Sequence, residues 1–319
     1  MPETVQLELE IPDSLRGRRL DQALAELVQD YSRSRLQQWI RAGQVTLDGH
    51  VAKVRETVHG GEKVRIAAEI VEQTASKPEP ITLDVIYEDS DLLVINKPAG
   101  LVVHPAAGNP SGTLLNGLLH FDASLATLPR AGIVHRLDKY TTGLMVVARN
   151  LTAHKRLVEA LQARSVKREY LAIVYGVLTA GGRIEAPIGR HPVDRKRMAV
   201  VAGGKEAITH YRVEARFRSN TLVRVSLETG RTHQIRVHMA HRHMPVLGDP
   251  VYGGRLRLPA RASEALKAVL ATFRRQALHA TRLELLHPAS GEMVGWEAAV
   301  PTDMAQLIQI LRDDAVAEK

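Results

Sequence analysis

The sequence predicts an α+β protein in which a small N-terminal module is joined to a larger domain built on a mainly antiparallel sheet. Three observations lead there. A chain of 319 residues is long for one compact domain and comfortable for two. Residues 71–80, closing with Lys77-Pro-Glu-Pro80, have linker composition and no sustained hydrophobic period. Beyond them, short apolar runs are not interleaved regularly with long helices, as a doubly wound parallel sheet would require. The expected boundaries are therefore a module at 14–70, a linker at 71–80 and a second domain at 81–315.

Within the module, helical patterns cover 21–28 and 32–42. Ser32 is suited to cap the second, and Leu36, Trp39 and Ile40 share one face of it, leaving Arg33, Arg35 and Arg41 for solvent. Asp48-Gly49, set between Val45-Thr-Leu47 and His50-Val51, is the residue pair that a two-residue hairpin turn prefers. Gly60-Gly61 marks another turn before Lys63-Val-Arg-Ile66. In the larger domain, Leu92 to Ile95, Leu144 to Val147, Leu171 to Val174 and Leu222 to Val225 read as strands. Helical patterns cover 113–120, 151–164, 233–241 and 302–312, and no internal repeat is visible.

Composition narrows the function. The formal charge is +8 and the pI near 9.8, which favours a polyanionic partner such as nucleic acid. The excess is uneven: residues 149–197 hold eleven Lys or Arg against four Asp or Glu, whereas 1–70 hold ten against eleven. RNA affinity in the module would therefore depend on the local face of Arg33, Arg35 and Arg41. The chain contains no cysteine, which removes disulfides and thiolate chemistry and fits a cytoplasmic location. The N-terminus lacks the basic start and apolar block of a secretory signal, and no apolar run approaches the length of a bilayer span. None of the glycine pairs has Walker or Gly-x-Gly-x-x-Gly spacing, so a nucleotide cofactor is not expected.

One stretch carries chemistry. Gly132-Ile-Val-His-Arg-Leu-Asp-Lys-Tyr-Thr-Thr-Gly143 is a polar loop between apolar flanks. A single carboxylate, Asp138, stands in it among His135, Arg136 and Lys139, and positive neighbours favour its ionised, nucleophilic form. Taken alone, the stretch also fits a solvated connection.

The His135-Arg-Leu-Asp-Lys-Tyr-Thr-Thr-Gly143 run resembles the signature of the RluA family of pseudouridine synthases. Further matches to the family lie, in order, at Asn96-Lys-Pro-Ala-Gly100, Val103-His-Pro105, Lys167-Arg-Glu-Tyr170, Gly230-Arg-Thr-His-Gln-Ile-Arg-Val-His238, Leu247-Gly-Asp-Pro-Val-Tyr-Gly253 and Arg275-Gln-Ala-Leu-His279. Residues 18–70, with Arg19-Leu-Asp21, Ser32-Arg-Ser-Arg35 and Gly43-Gln-Val45, look like an S4-type RNA-binding module. The resemblance implies an isomerase that converts uridine to pseudouridine in RNA. It assigns Asp138 as nucleophile or base, Arg136 as the arginine that takes the place of the flipped uridine, Tyr170 as the ring that stacks on uracil, and Arg236 as the ion-pair partner of Asp138. Arg231, His233, Gln234 and His135 would neighbour the site, and Lys97 and His104 would touch the RNA backbone. The likeness to the bacterial 23S ribosomal RNA members of the family implies the helix 69 stem-loop of 23S RNA, or a large-subunit precursor, as substrate. It also implies a role in ribosome maturation, with no cofactor or metal. No dimerisation helix is visible, so a monomer is expected. Tyr140 departs from the family pattern, which often has an acidic residue there.

Two rival readings remain. His238, His241, His243 and Asp249 have spacings that would allow a metal-dependent hydrolase, although no His-Glu-x-x-His pattern exists. A non-catalytic RNA-binding protein would need only the S4-like module, and has no use for a carboxylate placed against phosphate.

Overall fold

The computed structural model describes residues 4–28, 30–69, 76–106, 108–194, 196–255 and 257–316. Part of the expected linker, residues 71–75, lies outside them. The N-terminal module comprises β1 (Thr4–Glu10), α1 (Leu20–Leu27), α2 (Arg33–Arg41), β2 (Val45–Leu47), β3 (His50–Val51) and β4 (Lys63–Glu69). Its sheet has the order β1-β4-β2-β3 and is antiparallel throughout. β1 pairs with β4 along its whole length, so the module begins at the first described residues and not at residue 14. The alternating residues of that strand are the reason: Val5 is buried and Leu7 and Leu9 are half-buried, while Thr4, Gln6, Glu8 and Glu10 face water.

Local chemistry sets the ends of these elements. The Ser32 hydroxyl accepts from the Arg35 N–H at the start of α2, and Leu36, Trp39 and Ile40 are buried. Asp48 and Gly49 both have positive φ, as the turn between β2 and β3 requires. The expectation for the arginines changes. Arg35 is buried, and its guanidinium donates to the Thr127 carbonyl of the larger domain at 2.9 Å. Arg33 is tied to the buried Asp21 carboxylate at 2.6 Å, which Arg19 and Gln37 also hold. Arg33 and Arg41 stand exposed as expected, Arg33 with its guanidinium held by Asp21.

The larger domain continues with β5 (Val85–Glu88), β6 (Leu92–Lys97), α3 (Leu114–Phe121), β7 (Thr142–Ala148), α4 (Leu151–Gln162), β8 (Lys167–Tyr175), β9 (Gly182–Glu185), β10 (Ile188–Arg190), β11 (Met198–Val200), β12 (Ile208–Arg216), β13 (Asn220–Leu227), α5 (Gln234–His241), α6 (Glu264–Thr272), β14 (Leu278–Leu286), β15 (Met293–Glu297) and α7 (Thr302–Val316). The helix α6 has no counterpart among the sequence expectations. The main sheet runs β5-β6-β7-β14-β8-β13-β12-β9, with β15 on the far half of β14. Its pairs are antiparallel except the short parallel contact of β14 with β7.

The sheet is covered on both faces, which explains why its central strands read as unbroken apolar runs. Leu93, Ile95, Met145 and Val147 point into one core with α3, α6 and α7. Leu92, Val94, Leu144 and Val146 point into the opposite core, against Ala153 and Leu157 of α4. The module keeps a separate core of its own. No helix among the described residues is long and apolar enough to cross a membrane.

Candidate active site

Three strands bring the candidate residues together. In the main sheet Gly143 of β7 pairs with Ala280 of β14, and Ala280 pairs in turn with Tyr170 of β8. The loop that enters β7, residues 133–141, therefore lies two strands away from Tyr170, about 10 Å at the usual strand spacing. Two glycines make the loop possible. A side chain on Gly132, which has φ +79°, would meet the Ala148 carbonyl, and one on Gly143 would meet the Ala280 carbonyl.

The loop is pinned from below. Lys97 is fully buried and gives its three N–H bonds to the carbonyls of Pro98, Leu101 and Lys139, at 2.7, 3.0 and 3.1 Å. It is not placed to touch RNA, as the sequence had suggested, because every proton is spent on the backbone beside Asp138. Burial pushes this amine down to about 7, against the pull of Asp138. The Thr141 hydroxyl accepts from Gln276, and Thr142 bonds the His279 ring at 2.9 Å, fixing the far end of the loop on β14.

Asp138 faces α5. Arg236, only 4% exposed, donates through Nη1 to Asp138 Oδ2 at 3.0 Å. The rest of its guanidinium forks onto Asp249, with Nε to Oδ2 at 2.6 Å and Nη2 to Oδ1 at 2.8 Å. Burial opposes the charge on Arg236, but hydrogen bonds and attraction from Asp249 and Asp138 outweigh it and raise the guanidinium above its usual range. Asp249 moves the other way: burial would raise it, yet Arg236 and the N–H groups of Tyr252 and Val251 hold it below the ordinary carboxylate range. The Tyr252 ring lies 5.0 Å from the guanidinium carbon. Its hydroxyl accepts from the Met198 N–H and bonds His233 Nδ1, and the other nitrogen of that ring is 3.8 Å from Asp138. α5 is buried from Gln234 to Met239, so it lacks the polar face of a surface helix.

Asp138, Arg236 and Tyr170 line one cavity of about 810 Å³, whose walls also carry His104, His135, Arg136, Arg231 and His233. Arg136 is exposed and makes no hydrogen bond or ion pair with a described residue, so it does not pair with Asp138 in this state. Burial raises the Tyr170 phenol. Burial also drives His135 down to about 3 and His104 to about 4, with nearby arginines adding to both. The neutral His135 ring accepts the Val146 N–H through Nε2, an internal bond that the sequence did not suggest. Arg231 donates to the Glu206 carbonyl while lining the cavity. Much of the basic stretch at 149–197 is neutralised locally: Arg149 pairs with Glu88 and Asp122, Arg164 with Glu206, and Lys167 with Glu284.

The residues weighed for a metal do not converge. His238 bonds Thr209 and the Ala186 carbonyl with its two nitrogens, Asp249 is committed to Arg236, and His241 and His243 are exposed. Sequence reasoning missed Arg130 and Arg168 in the cavity wall and the clamp formed by Asp249 and Tyr252. Asp249 and Tyr252 stood in a quoted motif, but spacing alone gave no link to Arg236.

Known proteins are similar to this chain over most of its length. A family model described as RNA pseudouridylate synthase matches residues 91–241, and an S4 domain model matches 18–64. Proteins named ribosomal large subunit pseudouridine synthase D are 56% identical to this chain in Pseudomonas aeruginosa, over 99% of both chains, and in Escherichia coli K12, over 98% of this chain and 97% of that one. The chain belongs to the RluA family of RNA pseudouridine synthases. Among solved structures, human RNA pseudouridylate synthase domain containing 4 superposes with a TM-score of 0.56 at 29% identity, covering 72% of this chain and 92% of that one. The synthase is thus an enzyme that isomerises uridine in RNA, and its N-terminal module is an S4 domain.

Proposed function

We propose that this synthase modifies uridine in the helix 69 stem-loop of 23S ribosomal RNA and so contributes to maturation of the large subunit, acting as a cytoplasmic monomer. Support for the large-subunit target comes from the names of the relatives that match almost the whole chain. The catalytic reading rests on one observation: a cavity lined by the Asp138 carboxylate, which a buried arginine holds, and by a buried tyrosine, while the other carboxylate of its wall, Glu228, is paired with His210.

In this reading the target uridine leaves its helix and enters the cavity, because C1′ and C5 are shielded in a stacked duplex. Arg136, exposed and unpaired at the cavity, enters the RNA in its place. Asp138 attacks ribose C1′, or removes a ribose proton to form a glycal, and the C1′–N1 bond breaks with its electron pair going to uracil. The Arg236 ion pair holds the carboxylate in one rotamer. The base turns, C5 joins C1′, and the C5 proton departs. Tyr170 stacks on uracil; since burial keeps its phenol protonated, it relays that proton by giving one up as it takes one. No net oxidation occurs, and a carboxylate suffices without a cofactor.

The test is release of tritium from RNA labelled at uridine C5. Wild type should release it, and Asp138→Asn should fall by at least about 10³-fold with RNA binding retained. Release by the variant at the wild-type rate removes Asp138 from the chemistry. Replacing the helix 69 loop in a 23S transcript should abolish release; unchanged release refutes that target.

A further inference from the structure

Most cations of the cavity are either exposed or already paired. Arg130, Arg136 and Arg164 reach it from exposed positions, and the buried Arg236 is shared between two carboxylates. Arg168 fits neither description. It is 8% exposed, lines the cavity, forms no ion pair among the described residues, and has a fully buried Nε without a hydrogen-bond partner. A buried guanidinium left so costs several kcal/mol, and such groups are rare unless something binds them. On β8 it stands two residues from Tyr170, and both side chains leave the same face of the strand.

The surroundings of Arg168 are shaped to leave it free. It lies against Gly230, where an added Cβ would be 2.8 Å from Nη1, so any larger residue there would displace the guanidinium. The neighbours that feel its charge are His135 and Tyr170, both neutral. Two acids close to it are engaged elsewhere, the adjacent Glu169 by Arg224, and Glu228, which lines the same cavity, by His210.

We infer that Arg168 binds the uracil base itself, donating to a carbonyl oxygen of the ring as it detaches. This rests on the isomerase reading above and adds a residue to it. When C1′–N1 breaks, the electron pair passes to N1 and spreads to O2 and O4, leaving a uracil monoanion. The Arg168 guanidinium neutralises that charge; at the same time Asp138 captures C1′, or takes the C2′ proton as the glycal double bond forms. A donor fixed in a closed, partly apolar wall stabilises charge that develops in the transition state far better than one in water. Depth argues for the base over phosphate, because phosphates remain outside with the strand, where the exposed arginines stand.

The test compares Arg168→Met and Arg168→Lys with wild type on the same labelled RNA. Arg168→Met should lower single-turnover tritium release by about 10²–10³-fold while RNA affinity changes by less than about threefold. Arg168→Lys, which keeps the charge, should recover at least tenfold of that loss. On RNA carrying 5-fluorouridine, whose base leaves more readily, the Arg168→Met defect in forming the rearranged nucleotide, read by nuclease digestion, should shrink several-fold. Loss of affinity and a shallower salt dependence with kcat intact would assign Arg168 to phosphate and overturn the inference. A lowered melting temperature with normal kcat would make it merely structural, which also overturns it. If wild type itself releases no tritium, the isomerase reading fails first and this one with it.

Discussion

Arg236 serves two carboxylates, and their burial separates their roles. The Asp249 side chain is wholly buried and takes the bidentate fork, whereas Asp138 keeps 18% of its side-chain surface and takes one hydrogen bond. Asp249 therefore orients the arginine, and the arginine orients Asp138. Replacing Arg236 with Met leaves Asp249 as an uncompensated buried charge, and should cost about 3–5 kcal/mol of stability in urea unfolding. Asp138→Asn should cost less than about 1 kcal/mol, since its removal leaves Arg236 paired. Titration gives a second expectation. His135 titrates at about 3 when folded against a usual value near 6.5, so the unfolded chain binds more protons between those limits. Its contribution to stability is complete above about pH 6.5 and is lost as pH falls toward 3, at up to about 1.4 kcal/mol per unit for one proton. Melting temperatures from pH 7 to 4 should fall less steeply in His135→Gln, whose amide oxygen can still accept from Val146.

At the scale of elements, the loop at 133–141 is held where strands cross. Gly143 has φ +111°, and a Cβ there would lie 2.2 Å from the Ala280 carbonyl. Gly143→Ala must push β7 from β14, and should lower stability by more than about 2 kcal/mol while reducing tritium release, measured on the fraction that remains folded. The run 132–143 was legible in sequence because its polar types cluster between apolar flanks. The function of Gly143 was not, since the close approach of β14 comes from a residue more than a hundred positions later. The helix α5 was legible in place, but not in burial: a helix enclosed on all sides has no amphipathic period to reveal which residues face which partner.

For the whole molecule, the core of the S4 module is separate from those of the larger domain, which the module touches through contacts such as Arg35 with Thr127. Removing residues 1–75 should therefore raise KM for full-length RNA by at least tenfold while kcat changes little, in steady-state assays across salt concentrations. Equal KM would show that the module does not grip the substrate.

Local sequence patterns carried the fold class, the two-part plan and the family, and put forward Asp138, Arg136, Tyr170 and Arg236 as candidate site residues. Those features lie in local periodicity, turn chemistry and short motifs, where neighbouring residues carry the information. Only the tertiary structure decided which arginines are free. Arg35 and Lys97 read as surface cations and proved buried, Arg136 makes no ion pair among the described residues, and Arg168 proved buried, forming no ion pair among them and leaving its Nε without a hydrogen bond. A charge is the same in sequence whether it meets water, a carbonyl or a carboxylate; its energy depends on neighbours that folding brings from distant positions.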